Sequence, residues 1–97
     1  MIVNMVVPGS DGSTPVLYNI TNNVSSFVSS DKSTAEEGET VTATWTSNPS
    51  RLCFVFVKQN SDNTDIKELF EYGKKKPSIG DTATFTMPAD DVTIYAT

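Results

Sequence analysis

The amino-acid sequence predicts an all-β fold, a sandwich of about seven short strands. Short runs of alternating apolar and polar residues recur along the chain, separated by Gly, Pro, Asn, Asp and Ser, as is typical of β-sandwiches. No long segment has the apolar spacing of a helix. A chain of 97 residues holds one domain with a modest core. We place this domain at residues 16–97, after an N-terminal arm at residues 1–15.

The N-terminal arm combines an apolar start with a linker. Its opening, MIVNMVV, is followed by PGSDGSTP, which has turn and linker chemistry. An exposed apolar segment promotes aggregation unless a partner covers it, and addition as a strand to a neighbouring sheet would satisfy its backbone and its side chains together. We therefore predict that the arm binds a partner through its apolar residues, which are Met1, Ile2, Val3, Met5, Val6 and Val7.

Two weak strands are predicted to open the domain. VLYNI at residues 16–20 favours the first. NVSSFVSS at residues 23–30 favours the second, with Val24 and Val28 on one face and Phe27 on the other.

TVTATWT at residues 40–46 carries the clearest strand pattern. Val41, Ala43 and Trp45 alternate with threonines, so one face is apolar and the other is hydroxylated. This alternation predicts a half-buried strand with Trp45 in the core.

RLCFVFVK at residues 51–58 is apolar on both faces. The two faces carry Cys53, Val55 and Val57 on one side, and Leu52, Phe54 and Phe56 on the other. Such a strand either lies centrally in the fold with both faces covered, or its outer face meets a partner. The sequence leaves both alternatives open.

DIKELFEYG at residues 65–73 fits two conformations. Ile66, Leu69 and Phe70 have the spacing of a short helix. In a regular strand, one face would carry Ile66, Glu68, Phe70 and Tyr72. The local signals favour the helix, whereas the surrounding β pattern favours the strand.

FTMPADDVTIYAT at residues 85–97 interrupts two alternating runs with a proline and two aspartates. Pro88 cannot donate a ladder hydrogen bond, and Asp90 and Asp91 favour a turn. We therefore predict that the chain leaves one strand, crosses, and resumes as the last strand in the opposite sheet. The inward-facing residues are predicted to be Ala83, Phe85, Met87, Val92, Ile94 and Ala96. Tyr95 is out of phase with them and is predicted to contact a partner.

The composition argues against several functional classes. The formal net charge is −5, histidine is absent and Cys53 is the only cysteine. The acidic balance disfavours binding to nucleic acid or anionic membranes, and no segment approaches membrane-spanning length. Without histidine, a phosphate-binding loop or a tuned carboxylate pair, we expect neither an enzyme nor a cofactor. The start also lacks the basic region and cleavage pattern of a secretory signal.

Several other groups have a plain interpretation that we prefer. The glutamates of residues 36–39 match no calcium-loop spacing, so we expect a solvated loop and no metal site. The lysines at residues 74–76 are expected to be solvated, and the threonine rows reflect strand propensity. An aromatic sugar-stacking platform of Trp45, Tyr72 and Tyr95 is less favoured than core packing of Trp45.

Two stretches, EEGETVTATWTSNP and GDTATFTMPADDVTIYAT, resemble the immunoglobulin-like repeat modules of bacterial surface proteins and phage structural proteins. Those modules close with Phe-Thr-Met-Pro-Ala-x-Asp-Val-Thr-Val/Ile, which corresponds to residues 85–94 here. The resemblance covers residues 23–97 and implies an immunoglobulin-like β-sandwich. Residues 59–80 depart from the usual hairpin of these modules, and the chain carries one copy.

The start MIVNMVVPGS is similar to the starts of small phage virion proteins. We therefore expect a non-enzymatic phage virion accessory protein, either a capsid decoration or head-fibre component or a tail or neck component. It would bind other virion proteins through its arm. One alternative is a binding or spacer module of a bacterial cell-surface adhesin, with the arm as a linker. Another is a homo-oligomer that uses the exposed side of residues 51–57.

Overall fold

The described part of the protein is entirely β-structure and turns. The computed structural model describes residues 15–97, and within them there are eight strands and no helix. The all-β prediction is therefore confirmed. The strands are β1 (Tyr18–Asn22), β2 (Val28–Ser30), β3 (Thr34–Ala35), β4 (Thr40–Trp45), β5 (Cys53–Gln59), β6 (Asp65–Tyr72), β7 (Thr82–Thr86) and β8 (Val92–Ala96).

The strands form two sheets that pack as a sandwich. The larger sheet has five strands in the order β3-β1-β8-β5-β6, and the smaller sheet has three in the order β2-β4-β7. β1 runs parallel to β8, whereas the other pairs of described strands are antiparallel. The core lies between the sheets, and its largest fully buried side chains are Trp45, Met87, Ile94, Val28, Val41, Val55, Val57 and Val92.

The chain crosses between the sheets at Pro88, as the sequence predicts. β7 belongs to the smaller sheet, and the next strand, β8, belongs to the larger one. The Met87 N–H donates to the Glu39 carbonyl at 2.8 Å. The Asp91 carboxylate accepts from the Asn19 N–H, also at 2.8 Å. The crossing is therefore held to both sheets by hydrogen bonds that do not need the missing proline donor.

Trp45 lies at the centre of the core, which confirms the core interpretation of this residue. Its ring makes a T-shaped contact with Phe27 at 5.4 Å between centroids. It also contacts Phe70 at 5.3 Å and Tyr72 at 5.6 Å. The indole Nε1–H donates to Asn48 Oδ1 at 2.9 Å, so the buried polar atom keeps a partner. One side chain thus joins residues from both sheets.

The segment before β2 is a turn and not the strand that the sequence predicts. The Asn22 side chain accepts from the Val24 N–H and donates to the Val28 carbonyl, both at 2.9 Å. These bonds stabilise a turn at residues 23–27. Phe27 was predicted to face away from Val24 and Val28, but the turn brings it onto the core beside them.

The ambiguous segment is strand β6, and a β-bulge interrupts it. Val55 pairs with Phe70, whereas the residue after Val55 pairs with Glu68, which leaves Leu69 as an extra residue. Leu69 and Phe70 are therefore both buried. The face predicted for a regular strand is wrong, because Ile66 and Glu68 are exposed while Phe70 is buried.

Strand β8 departs from the predicted alternation at two positions. Ala96 was predicted to face inward, but it is exposed at the end of the strand. Thr93 is out of phase with the predicted inward residues, yet it is only 8 % exposed. Its hydroxyl donates to Asn60 Oδ1 at 2.7 Å, so the loop after β5 covers it.

Removal of the Met87 side chain should strongly destabilise the fold. Met87 is 1 % exposed, whereas Ile79 is 61 % exposed. We expect Met87→Ala to lower the free energy of unfolding by about 2–5 kcal/mol, because it leaves a cavity between the sheets. Ile79→Ala is the matched control and should change it by less than about 0.5 kcal/mol. Urea unfolding followed by Trp45 fluorescence tests both, and equal midpoints would contradict the packing described.

The backbone at Gly38 should reject a side chain for conformational reasons alone. Gly38 has a φ of 90°, and an added Cβ would meet nothing within 4 Å. We expect Gly38→Ala to cost about 1–2 kcal/mol of stability, because the left-handed region disfavours residues with a Cβ. Gly73 has no positive φ, and its added Cβ would meet mainly the flexible Glu71 side chain. Gly73→Ala should therefore cost less, and thermal unfolding of both variants makes the comparison.

Candidate functional site

The outer face of the larger sheet carries an uncovered apolar surface, which we call the aromatic face (Leu52, Phe54, Phe56 and Tyr95). The inward side chains of β5 are buried against the smaller sheet. Alternation therefore sends Phe54 and Phe56 outward. Phe54 is 44 % exposed and Leu52 is 66 % exposed. Among residues 15–97 nothing covers this face, so the alternative in which both faces are covered within the fold does not hold for them, while contact of the outer face with a partner stays a prediction.

The aromatic rings of this face form an ordered row. Phe54 and Phe56 lie 6.5 Å apart between centroids. Phe56 stacks on Tyr95 at 6.0 Å with an interplanar angle of 29°, and the two residues are directly paired across β5 and β8. Cross-strand aromatic pairs stabilise a sheet. The row is therefore held in place by the sheet itself and offers a preformed surface.

Tyr95 is half-buried, and its polar end is already engaged within the protein. Its hydroxyl donates to Asp65 Oδ1 at 2.5 Å. The Lys58 ammonium lies 5.1 Å from the centre of its ring and donates to Asn63 Oδ1. The hydrogen bond to the Asp65 carboxylate raises the pKa of Tyr95, and burial and the negative charge act in the same direction. The hydroxyl of Tyr95 therefore serves the fold, and its ring belongs to the aromatic face.

A cavity of about 600 Å³ opens beside the aromatic face, and we call it the end cavity. It is lined by Leu52, Cys53, Phe54, Glu71, Tyr72, Gly73, Lys74 and Thr97. The lining is mainly apolar, and its charged side chains are Glu71 and Lys74. Burial raises the pKa of the Cys53 thiol, so this cysteine is protonated and unreactive at neutral pH. The volume falls in the range of ligand-binding clefts, and the lining suits an apolar side chain or segment.

The acidic residues of the loops serve the local structure. Asp90 accepts from the Ser61 N–H at 3.1 Å, and hydrogen bonding by Ser61 lowers the pKa of the Asp90 carboxyl. Glu39 accepts from the Glu36 N–H at 2.6 Å. Within residues 15–97, no group of three or more His, Cys, Asp or Glu side chains is arranged to hold a metal ion.

The predicted contact residues fall into two sets. Tyr95 lies on the aromatic face. The arm residues lie outside the described part of the chain, and they are Met1, Ile2, Val3, Met5, Val6 and Val7. The sequence-based site did not include Leu52, Phe54 or Phe56. The sequence feature that points to these residues is that β5 is apolar on both faces. This pattern does not show by itself which face turns outward.

Comparisons with known proteins found no match to this chain. No protein-family model, curated protein or solved structure matches the chain. Residues 15–97 contain no helix that is long and apolar enough to span a membrane.

The Tyr95 hydrogen bond should be visible in alkaline titration. We expect Tyr95 to ionise above the ordinary value of 10.0, since ionisation would place two negative oxygens together. The raised pKa in the folded state means that the bond contributes stability below about pH 10, which is lost as the pH rises through the folded-state pKa. Tyrosinate absorbance of wild type minus Tyr95→Phe isolates this residue.

The matched control for this titration is Asp65→Asn. It removes the negative partner, so the pKa of Tyr95 should fall back toward its ordinary value. A Tyr95 that titrates identically in wild type and in Asp65→Asn would contradict the described contact.

Proposed function

We propose that this protein is a non-enzymatic virion accessory protein of a phage. It binds other virion proteins through its N-terminal arm and displays a β-sandwich of the immunoglobulin-like kind, as a capsid decoration or head-fibre component or as a tail or neck component. The observation that supports the proposal is that Val16, the residue after the arm, lies at one end of the domain, while Leu52, Phe54 and the end cavity lie at the other end.

This arrangement follows from the parallel pairing of β1 with β8. Ile20 pairs with Val92, so both strands begin at one end of the larger sheet, which we call the arm pole. The opposite end is the cavity pole, where the Thr97 N–H donates to the Phe54 carbonyl at 3.0 Å and the end cavity opens. Phe54 and Leu52 of the aromatic face lie at the cavity pole.

The separation of the poles suits a displayed domain. The longest strand, β6, has eight residues and spans about 26 Å at about 3.3 Å per residue. A copy that is held at its arm pole therefore keeps its cavity pole about 26 Å away from the attachment surface. The far end stays accessible to a further partner.

Attachment through the arm would rest on burial of its apolar side chains. Each fully buried Val, Ile or Met side chain contributes about 1.5–3 kcal/mol before the cost of ordering the arm. Strand addition would also satisfy the arm backbone. On a virion shell, many copies of one site compensate for weak single contacts.

A second candidate is a spacer or binding module of a bacterial cell-surface adhesin. The same pole geometry favours it, because a chain that enters at one pole and leaves at the other can be strung end to end. The closing residues 85–94 resemble repeat modules of such proteins. In this case the arm is a linker and the domain itself carries the binding surface.

Fractionation distinguishes the two candidates. We would express the tagged full-length protein in a strain that carries the gene, induce particle production, and separate banded phage particles from the cell envelope. We expect the full-length protein in the particle fraction. A chain starting at residue 16, and a full-length Val3→Asp/Val6→Asp variant, should be lost from that fraction by at least tenfold, because a buried unpaired carboxylate is strongly unfavourable.

The control is full-length Ile79→Ser, which changes a residue of the domain that is 61 % exposed and should not alter particle association. Recovery of the full-length protein in the cell envelope instead of the particles would contradict the virion proposal and support the adhesin module.

A further inference from the structure

We infer that copies of this protein associate head to tail, with the arm pole of one copy docking on the cavity pole of the next. This contact rests on the charges and apolar groups of the described residues and is independent of the virion proposal. If both hold, the first copy of a string binds the shell and the others extend from it.

The arm pole is strongly acidic. Asp91 is placed there by its bond to the Asn19 N–H, and Asp90 by its bond to the Ser61 N–H. The loop of residues 36–39 lies beside them, since the Glu39 carbonyl accepts a hydrogen bond from the Met87 N–H next to the crossing. The acidic side chains gathered at this end are Glu36, Glu37, Glu39, Asp62, Asp65, Asp90 and Asp91. Lys58 also lies toward this end.

The cavity pole gathers most of the basic side chains. Arg51 lies just before β5, and the lysines of residues 74–76 lie just after β6. The pairing of Cys53 with Tyr72 brings these two loops together. The basic residues of this end are Arg51, Lys74, Lys75 and Lys76, and all of them are exposed. Glu71 and Asp81 also lie there, and the Asp81 carboxylate accepts from the Ser78 N–H.

Apolar groups at the two poles complement each other as well. Val16 and Leu17 directly precede β1 at the arm pole, and they are 61 % and 58 % exposed. The end cavity at the opposite pole has a mainly apolar lining that includes Leu52, and a volume of about 600 Å³. A cleft of this size accommodates ligands much larger than one side chain. The exposed pair of one copy can therefore enter the end cavity of the next.

These features select a second copy of the chain as the occupant of the end cavity. Exposed basic side chains on the two loops beside a mainly apolar cleft fit an acidic partner that presents exposed aliphatic side chains, and the arm pole has both properties. The poles are about 26 Å apart along β6, which exceeds the Debye length of about 8 Å at physiological ionic strength. The two charge clusters of one molecule therefore do not neutralise each other, and each remains available to a neighbour.

The geometry also fixes the type of interface. Two different surfaces meet, so the contact is heterologous and leaves one free arm pole and one free cavity pole in every string. A twofold dimer through the aromatic face would instead bring the same surface of two copies together. This difference gives the experiment its discriminating readout.

The first measurement is the mass of the full-length protein by sedimentation and light scattering over a range of concentrations. We expect the average mass to rise with concentration at about 0.01 M ionic strength. The association constant should fall at least tenfold at about 1 M, where the Debye length shrinks from about 30 Å to about 3 Å. A protein that stays at 10.5 kDa at every concentration and low salt would overturn the inference.

The second measurement uses two variants, each blocked at one pole. The cavity-pole variant is Arg51→Glu/Lys74→Glu/Lys75→Glu, and the arm-pole variant is Glu36→Gln/Glu37→Gln/Leu17→Ser. The arm pole is neutralised and not reversed, so that the two blocked poles do not become complementary to each other in a mixture. All of these positions are exposed, so both variants should keep the wild-type circular dichroism and unfolding midpoint within small limits. Each alone should be monomeric. An equimolar mixture, with one intact pole on each protein, should form a complex that stops at twice the 10.5 kDa chain mass.

Two outcomes of the mixing experiment would contradict head-to-tail docking. One is a mixture that stays monomeric although the wild type associates. The other is a pair of variants that each form dimers alone, which would indicate an isologous interface elsewhere. The charge control is Lys32→Glu, a reversal at a half-buried residue between the poles, which should leave the association constant within about twofold of wild type.

Discussion

The parallel pairing of β1 with β8 is the constraint on which the rest of the structure depends. Parallel neighbours cannot be joined by a tight turn, so a long connection must run between them. Here β2 to β7 all lie in the chain between the two paired strands. The pairing joins β3 and β1 to β8, β5 and β6 in the larger sheet. Ile20 and Val92 meet in this pairing, and both are buried against the smaller sheet. The direction of the two strands, in turn, sets which loops gather at each end of the domain.

The sequence predicts the elements that depend on local chemistry. Val41, Ala43 and Trp45 alternate without interruption, and they form the inner face of β4 as expected. Pro88 marks the crossing because a residue without an N–H ends a ladder wherever it stands. In these cases one physical requirement dominates, so a single sequence is sufficient to recognise it.

The remaining features depend on contacts that the sequence does not display. The bulge at Leu69 shifts the side-chain phase of β6, and no glycine or proline marks it. The turn at residues 23–27 results from the Asn22 side chain, which outcompetes the strand pattern of its neighbours. For β5, both faces are apolar, and only the position of the smaller sheet decides which is inside. The exposed aromatic face is therefore harder to predict than the core, since it becomes visible only after that choice.

The position of β8 has a consequence for how the molecule is made. β8 is the last of the described strands in chain order, yet it lies in the middle of the larger sheet, between β1 and β5. Until Val92–Ala96 inserts between them, β1 and β5 each have an edge whose backbone N–H and C=O groups are unpaired. Non-local pairings of this kind slow folding and expose unpaired edges to other chains. The chain is therefore most exposed to pairing with other chains during the period before β8 inserts.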